Sequence, residues 1–221
     1  MRIGLFGGTF NPIHHGHLRA AKEVQEGFNL KKLYLIPSAL PPHKDMQDVV
    51  SATDRINMTR LAVQDLPDFI LSDVELKRAG PSYTIDTVRY FKNQLESDST
   101  LFLILGLDAF LEIDTWKSYK QLFQMIPMIV MTRPLPAVGS NHIEWKNMTE
   151  MIQTKISGSY QFSEKKDCYR HDRHYPVYRH TISMLDISGT KIRNLVQQKR
   201  SIRFLVPGSV ENYIHERGLY A

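Results

Sequence analysis

The chain has 221 residues, of which 42 % are hydrophobic and 23 % are charged, an ordinary composition for a globular protein of one large domain or two small ones. It has one cysteine, Cys168, and is long enough to bury a full core, which excludes disulfide scaffolds, collagen-like repeats and wholesale disorder. The net charge of +5 lies within residues 150–221, which hold 12 Lys and Arg against 7 Asp and Glu, and this excess fits an anionic partner or a solvated surface.

Five short apolar runs, each bounded by Gly, Pro or polar residues, predict β-strands. They span residues 2–7, 33–37, 69–76, 101–106 and 128–132. Nearly continuous apolar runs of this kind suit parallel strands that are covered on both faces.

Apolar residues at helical spacing occupy the gaps between these strands. The spacing is clear in the first and third gaps and loose in the second, and the residues are Leu18, Ala21, Val24 and Phe28, then Ile56, Leu61 and Val63, then Ile85, Val88, Phe91 and Leu95. Alternating strands and helices predict an α/β fold with right-handed crossovers. We expect a Rossmann-like, doubly wound parallel sheet with the strand order 3-2-1-4-5.

Residues 134–183 break this alternation and are predicted to form an irregular insertion that adds strands. Prolines end the fifth strand, and the residues after them are polar and mixed. We expect an irregular helix over residues 144–155 and strands near 159–163 and 175–184. The histidine-bearing run 170–174 has poor spacing for metal ligands and is expected to be a solvated loop.

Two short helices, over residues 190–199 and 208–217, are predicted to close the chain. They would make a small C-terminal helical part over residues 184–221. With a Rossmann-like core over residues 1–133, the pieces form one domain that spans residues 1–221.

The segment after the first strand combines two glycines with two histidines. Gly7 and Gly8 allow a tight turn and close approach to a ligand, but the spacing matches neither the dinucleotide fingerprint nor a P-loop. His14 and His17 are three residues apart at a helix start, so they share a face beside amides that favour an anion. Phosphate binding is therefore predicted. Zinc, which needs a third ligand, and purely structural histidines are the alternatives.

Ordered motifs along almost the whole chain resemble a known family. The H-x-G-H pattern resembles the nucleotidylyltransferase superfamily, and the longer string GGTFNPIHHGH resembles the bacterial nicotinate-nucleotide adenylyltransferase family. Five further segments occur in the family's order: PPHK from Pro41, GPSYTIDT from Gly80, GLD from Gly106 with Leu111 and Trp116 after it, ISGTKIR from Ile187, and the closing segment from Val206.

The resemblance implies a reaction in NAD biosynthesis that transfers AMP from ATP to nicotinate mononucleotide. The attacking phosphate oxygen is already an anion, so positioning and charge neutralisation carry the catalysis. His14, His17, Lys44 and Arg193 are the expected catalytic residues, and Arg133 adds a further positive charge. The implied cofactor is Mg²⁺, held mainly by substrate phosphates and water rather than by protein ligands.

The predicted topology brings the two glycine motifs together. In open α/β sheets, ligands bind at the carboxyl ends of strands where the strand order reverses. With the order 3-2-1-4-5, this point lies between the first and fourth strands, which end at Gly7 and Gly106. We expect the two motifs to face each other across one crevice.

The resemblance implies a set of residues for ATP. They are Gly7, Gly8, Thr9, Phe10, His14, His17, Gly106, Asp108, Ser188, Thr190 and Arg193. Asp108 would accept hydrogen bonds from the ribose hydroxyls, and Ser188 and Thr190 would approach the triphosphate. The alternative for these three residues is helix capping.

A second set is implied for nicotinate mononucleotide: Lys44, Ser82, Tyr83, Thr84, Trp116 and Arg133. Trp116 would stack on the pyridinium ring, which is worth ~0.5–2 kcal/mol, or is simply a core aromatic. Backbone N–H groups at Tyr83 and Thr84 would bind the carboxylate and reject the amide. Lys44 and Arg133 would meet the phosphate, with ordinary surface charges as the alternative.

The chain departs from the family at two positions. Asn11 replaces an aspartate, and we expect it to act through local hydrogen bonds, so that Asn11→Asp changes turnover little. Gly189 replaces a serine, which removes one hydroxyl donor to phosphate.

Alternative functions remain within and outside the superfamily. The acceptor is nicotinamide mononucleotide or phosphopantetheine in one alternative, although the length, the GPSYT segment and Trp116 argue against phosphopantetheine. The remote alternative is a basic nucleic-acid-binding protein, for which no recognised motif is present. No signal peptide or apolar run of ~20 residues occurs, so a cytoplasmic protein without membrane or nucleic-acid partners is predicted.

Overall fold

A computed structural model describes residues 1–40, 49–95, 98–132 and 140–221, the side chains of 140–144 excepted. These ranges contain eight strands: β1 (Arg2–Gly8), β2 (Lys32–Pro37), β3 (Phe69–Leu71), β4 (Thr100–Gly106), β5 (Met128–Thr132), β6 (Gln161–Ser163), β7 (Cys168–Arg170) and β8 (Val177–Thr181). They form one sheet with the order β3-β2-β1-β4-β5-β8-β7-β6. The predicted order 3-2-1-4-5 is confirmed, and the sheet continues beyond it.

The helices of the described residues are α1 (His15–Gly27), α2 (Ala52–Val63), α3 (Thr84–Gln94), α4 (Leu107–Leu111), α5 (Tyr119–Met125), α6 (Ser140–Met151), α7 (Gly189–Gln197) and α8 (Gly208–Glu216). A π-helical turn, Ile152–Ile156, continues α6. The irregular helix and both C-terminal helices that the sequence predicts are therefore present. Within the described ranges, no helix is long and apolar enough to cross a membrane.

Helices cover both faces of the sheet and bury two apolar clusters. On one face, Leu103 and its neighbours pack against α3, α4, α5 and α6, with Phe123 fully buried. On the other face, Phe102 and Ile104 pack against α1, α2, α7 and α8. Successive β4 residues thus point to opposite cores, because side chains alternate along a strand. The near-continuous apolar runs follow from this doubly wound arrangement.

The third strand is shorter than predicted. The third strand ends at Leu71 rather than at residue 76, because a turn follows in which the amide of Leu76 donates to the carbonyl of Asp73 (3.0 Å). Val74 is nevertheless buried, so apolar character continues without strand pairing. The loose pattern of α2 arises because its buried positions include Arg55 and Thr59.

The segment after α6 extends the sheet. β8 pairs in parallel with β5, while β7 and β6 add antiparallel strands at the edge; β7 was not predicted. In the loop before β8, Asp172 and Arg173 are exposed as expected. The rings of His171 and His174 instead stack on each other, with centroids 4.1 Å apart, beside the buried Tyr160.

Tyr160 anchors this extension, and its substitution tests how strongly the extension stabilises the fold. Its hydroxyl donates to the carbonyl of Tyr175 (2.8 Å), and its ring packs near Phe123. Tyr160→Phe should lower the free energy of unfolding by about 1 kcal/mol, because one buried hydrogen bond is lost. Tyr160→Ala should lower it by ~3–5 kcal/mol through loss of packing. Urea denaturation measures both values, and an unchanged Tyr160→Ala variant would contradict the packing role.

Candidate active site

A cavity of about 340 Å³ lies at the carboxyl ends of β1 and β4. Nine of the residues predicted to bind substrates line it: Gly7, Gly8, Thr9, Ser82, Tyr83, Thr84, Gly106, Asp108 and Trp116. The expected crevice between the two glycine motifs is therefore present. Lys44 and Arg133 lie outside the described residues.

The turn after β1 is shaped by Phe10 more than by the glycines. Phe10 has the left-handed backbone conformation (φ 47°), and its side chain is only 2 % exposed. A Cβ on Gly8 would lie 2.8 Å from the Phe10 ring, whereas one on Gly7 would meet no atom within 4 Å. Gly8 thus makes room for the aromatic ring, and Gly7 keeps the cavity wall open.

The structure brings His14 and His17 together at the start of α1. Their rings stack with centroids 3.7 Å apart, and the His17 ring lies perpendicular to the Phe10 ring with centroids 5.0 Å apart. A Cβ on Gly16 would lie 3.0 Å from Nδ1 of His14, so the glycine permits this stacking arrangement. Among the described residues, no third His, Cys, Asp or Glu joins the pair as a metal ligand would.

The start of α7 meets the same loop from the other side. One Arg193 Nη1 hydrogen donates to the carbonyl of Asn11 (3.0 Å), and Nη2 donates to the Thr190 hydroxyl (3.4 Å). The Ser188 hydroxyl accepts from the amide of Lys191 (3.2 Å) and so caps the helix. Both Ser188 and Thr190 are exposed. Arg193 is the residue of this motif that connects it to the β1 loop.

The departure at Gly189 has a steric cause in this chain. A Cβ at this position would lie 2.8 Å from the carbonyl oxygen of Asn11, which is closer than real Cβ contacts. A serine would force α7 and the Asn11 backbone apart. Gly189 therefore permits the close approach that the Arg193 hydrogen bond uses.

Asp108 lines the cavity just after β4. Gly106 occupies the N-cap position of α4, which has no side-chain cap, so Asp108 does not cap this helix. A Cβ on Gly106 would lie 2.5 Å from Oδ1 of Asp108. The carboxylate therefore folds back over the end of β4 and faces the cavity.

The wall expected to receive the pyridine ring holds an ordered positive charge. Nζ of Lys117 lies 4.4 Å from the centroid of the Tyr83 ring and 3.2 Å from Oδ2 of Asp86. Trp116 is partly buried against the core and also lines the cavity. The Ser82 hydroxyl accepts from the amide of Ala39 (2.9 Å) and holds this wall to the end of β2.

Sequence reasoning missed three groups at this site. Glu75, which is 7 % exposed, lines the cavity and accepts from the Thr87 hydroxyl (2.7 Å). Lys117 follows Trp116 directly, which was the available signal. Arg55, fully buried in α2, bonds to the carbonyl of Thr9; the loose apolar spacing of this helix gave no signal that a charged residue is buried there.

Comparisons with known proteins agree with this geometry. The family model described as cytidylyltransferase-like matches residues 5–195. A probable nicotinate-nucleotide adenylyltransferase of Desulfatibacillum aliphaticivorans is 44 % identical over 222 residues, covering 100 % of both chains. One of Geobacter sp. (strain M21) is 41 % identical over 220 residues, covering 100 % of this chain and 98 % of the relative.

Solved structures share the fold at low sequence identity. Plasmodium falciparum nicotinic acid mononucleotide adenylyltransferase complexed with NaAD has a TM-score of 0.71 at 16 % identity, covering 99 % of this chain and 97 % of that one. The same enzyme complexed with APC has a TM-score of 0.68 at 15 % identity, covering 99 % and 96 %.

The fold and site define a nucleotidyltransferase of the cytidylyltransferase-like class. Within that class, full-length identity of 37–44 % to the curated relatives shows that the chain belongs to the nicotinate-nucleotide adenylyltransferase family. The family resemblance seen in the sequence motifs is confirmed.

Asn11 joins the glycine loop to two other parts of the chain, and its substitution tests this role. Its Oδ1 accepts from the Tyr220 hydroxyl (2.8 Å) and from the amide of Val50 (3.3 Å). Asn11→Asp retains this acceptor beside Arg193, so turnover should stay within ~3-fold. Asn11→Leu should lower the free energy of unfolding by ~1–3 kcal/mol, because two partly buried donors lose their acceptor. Steady-state kinetics and urea denaturation separate the variants, and a large activity loss in Asn11→Asp would refute the local role.

Proposed function

We propose that this chain transfers the adenylyl group of ATP to nicotinate mononucleotide, giving nicotinate adenine dinucleotide and pyrophosphate. The observation that carries the proposal is one cavity that joins the glycine turn, Asp108, the Tyr83–Thr84 turn and Trp116. The names of the relatives and the NaAD complex of the structural neighbour support the same reaction. Its product belongs to NAD biosynthesis.

The proposed chemistry is an in-line substitution at the α-phosphorus of ATP. A phosphate oxygen of nicotinate mononucleotide forms the new P–O bond while the bond to the β-phosphate oxygen breaks, and the electron pair leaves with pyrophosphate. The attacking oxygen carries no proton at neutral pH, so no general base is required. The protein must align two anions and offset their charges.

We propose that the ATP phosphates bind to the amides of the loop after β1 and to the side chains of His14, His17 and Arg193. The stacked imidazoles and the guanidinium of Arg193 converge on the same loop, which supports this role. Asp108 would receive the ribose hydroxyls, because a carboxylate is a strong acceptor for a vicinal diol. Ser188 and Thr190 would add polar contacts at the exposed start of α7.

On the acceptor side, the first turn of α3 begins at Thr84, where helix amides favour a carboxylate. Lys117 adds a positive charge beside it, and Trp116 offers its face to the pyridinium. These features support recognition of the acid rather than the amide. Lys44 and Arg133 are proposed to meet the mononucleotide phosphate, on the family resemblance alone.

Mg²⁺ is proposed to enter as the complex with ATP. The side chains gathered around the β1 loop are imidazoles and a guanidinium, which are poor ligands for Mg²⁺, a cation that prefers oxygen. The substrate phosphates would therefore supply most of its ligands. When bound, the ion neutralises charge on the leaving pyrophosphate.

The deciding experiment is Mg²⁺-dependent release of pyrophosphate from ATP with three acceptors in parallel. These are nicotinate mononucleotide, nicotinamide mononucleotide and phosphopantetheine. Release with the acid at a much higher kcat/KM is the expected result. Equal use of acid and amide would keep the reaction class and reject the carboxylate recognition. No release with any acceptor, from folded protein, would reject the proposed function.

The contribution of Lys117 to acid recognition can be separated from that of Trp116. Lys117→Met should lower kcat/KM for the acid by ~3–10-fold and leave the amide nearly unchanged, because only the carboxylate feels the charge. Trp116→Ala should weaken both acceptors alike, by ~2–30-fold, because it removes stacking. The ratio of the two kcat/KM values is the measurement. An unchanged ratio in Lys117→Met would exclude the lysine from recognition.

A further inference from the structure

Arg55 is a charged side chain with no exposed surface, and its guanidinium binds four backbone carbonyls. Nη1 donates to Thr9 (2.8 Å) and to Ser38 (2.6 Å), Nη2 to Ala39 (3.1 Å), and Nε to Val50 (3.2 Å). One planar group therefore ties together the loop after β1, the end of β2 and the start of α2.

Two of the residues bonded to Arg55, Thr9 and Ser38, line the active-site cavity. Ser38 donates its amide to the carbonyl of Gly8 (2.9 Å), which strengthens the connection to the ATP loop. Ala39 donates its amide to the Ser82 hydroxyl (2.9 Å), which leads to the acceptor wall. Because Ser38 and Ala39 are consecutive, short hydrogen bonds connect Gly8 to Ser82 through them, and Arg55 bonds to the carbonyls of both middle residues.

The electrostatic setting of Arg55 is unusual for a structural cation. Among the described residues, no carboxylate forms an ion pair with it, so carbonyl dipoles stabilise its charge. Burial lowers the pKa of its guanidinium, and the charge of the Glu75 carboxylate opposes this shift. Arginine remains protonated at neutral pH. Burying a charge is costly, so its presence here calls for a benefit elsewhere.

We propose that Arg55 is a positioning residue that fixes the ATP loop relative to the acceptor wall. This inference rests on the proposed function, since it concerns the alignment of the two substrates. A reaction that requires no base depends on alignment, and a misplacement of about 1 Å can cost ~10²-fold in rate. A lysine cannot reproduce the role, because its single ammonium cannot bond four carbonyls in one plane.

The test is Arg55→Lys, which retains the charge and removes the planar set of donors. We expect kcat to fall by ~10–100-fold, while KM for ATP and for nicotinate mononucleotide each stay within ~3-fold. Loss of substrate alignment should lower kcat and leave both KM values nearly unchanged. Loss of stability alone lowers only the concentration of folded, active enzyme. Kinetics are therefore measured per folded molecule, at a temperature well below the unfolding midpoint of each variant.

Two control variants lie on the same helix. Met58→Ala removes a fully buried apolar side chain, so it lowers the unfolding midpoint without breaking a hydrogen bond to the cavity walls. Arg60→Lys makes the same chemical change at an exposed position. Both controls should retain kcat within ~2-fold when folded, because neither alters substrate alignment.

The outcomes separate the two hypotheses. If the wild-type enzyme releases no pyrophosphate, the proposed function itself is rejected. Active wild type with an Arg55→Lys kcat equal to that of Met58→Ala overturns the positioning role, as does a change confined to KM. If Arg55→Lys does not fold, Arg55→Gln is measured in its place, because it keeps planar amide donors but loses most of the hydrogen bonds, and a kcat loss of ~10–100-fold at nearly unchanged KM is then expected. An unchanged kcat in that variant would overturn the inference.

Discussion

The pairing of β1 with β2 along one edge and with β4 along the other determines where this protein can bind ligands. The chain reaches β3 on one side and returns to β4 on the opposite side. Consequently α1, which follows β1, packs on one face of the sheet, and α4, which follows β4, packs on the other. The segments that follow these two neighbouring strands lead to helices on opposite faces of the sheet, and a crevice lies between them. Both glycine motifs lie there because each follows one of these two strand ends.

The fold could be predicted from sequence where burial on two faces produces a long apolar signal. β1, β4 and β5 carry such runs, and their order follows from the alternation with helices. β7 was missed because a three-residue strand is defined by its partners rather than by its own residues. The excess length predicted for β3 has the opposite cause, since Val74 is buried in a turn. A run of apolar residues indicates that a segment is buried, but a buried segment does not always pair as a strand.

The candidate site was predictable where backbone geometry restricts residue type, as at Gly8 and Gly106, whose missing Cβ atoms make room for a ring and a carboxylate. The polar groups that brace the site were not predictable. Arg55 binds backbone carbonyls, which every residue has, so no particular residue type elsewhere in the sequence indicates its partners. Glu75 and Thr87 are twelve residues apart and lie on different elements, so their contact depends on the tertiary fold.

These buried polar groups are consistent with the kind of catalysis the site would perform. When the nucleophile is already ionised, a tuned base offers little, and accuracy of placement has to supply the rate. Accuracy requires that the loops bearing the ligands be connected by directional bonds, which apolar packing alone does not supply. Arg55 and Asn11 supply such bonds between segments far apart in sequence. Their desolvation costs stability, and the hydrogen bonds that offset this cost also fix the loop after β1, which carries the proposed ATP contacts.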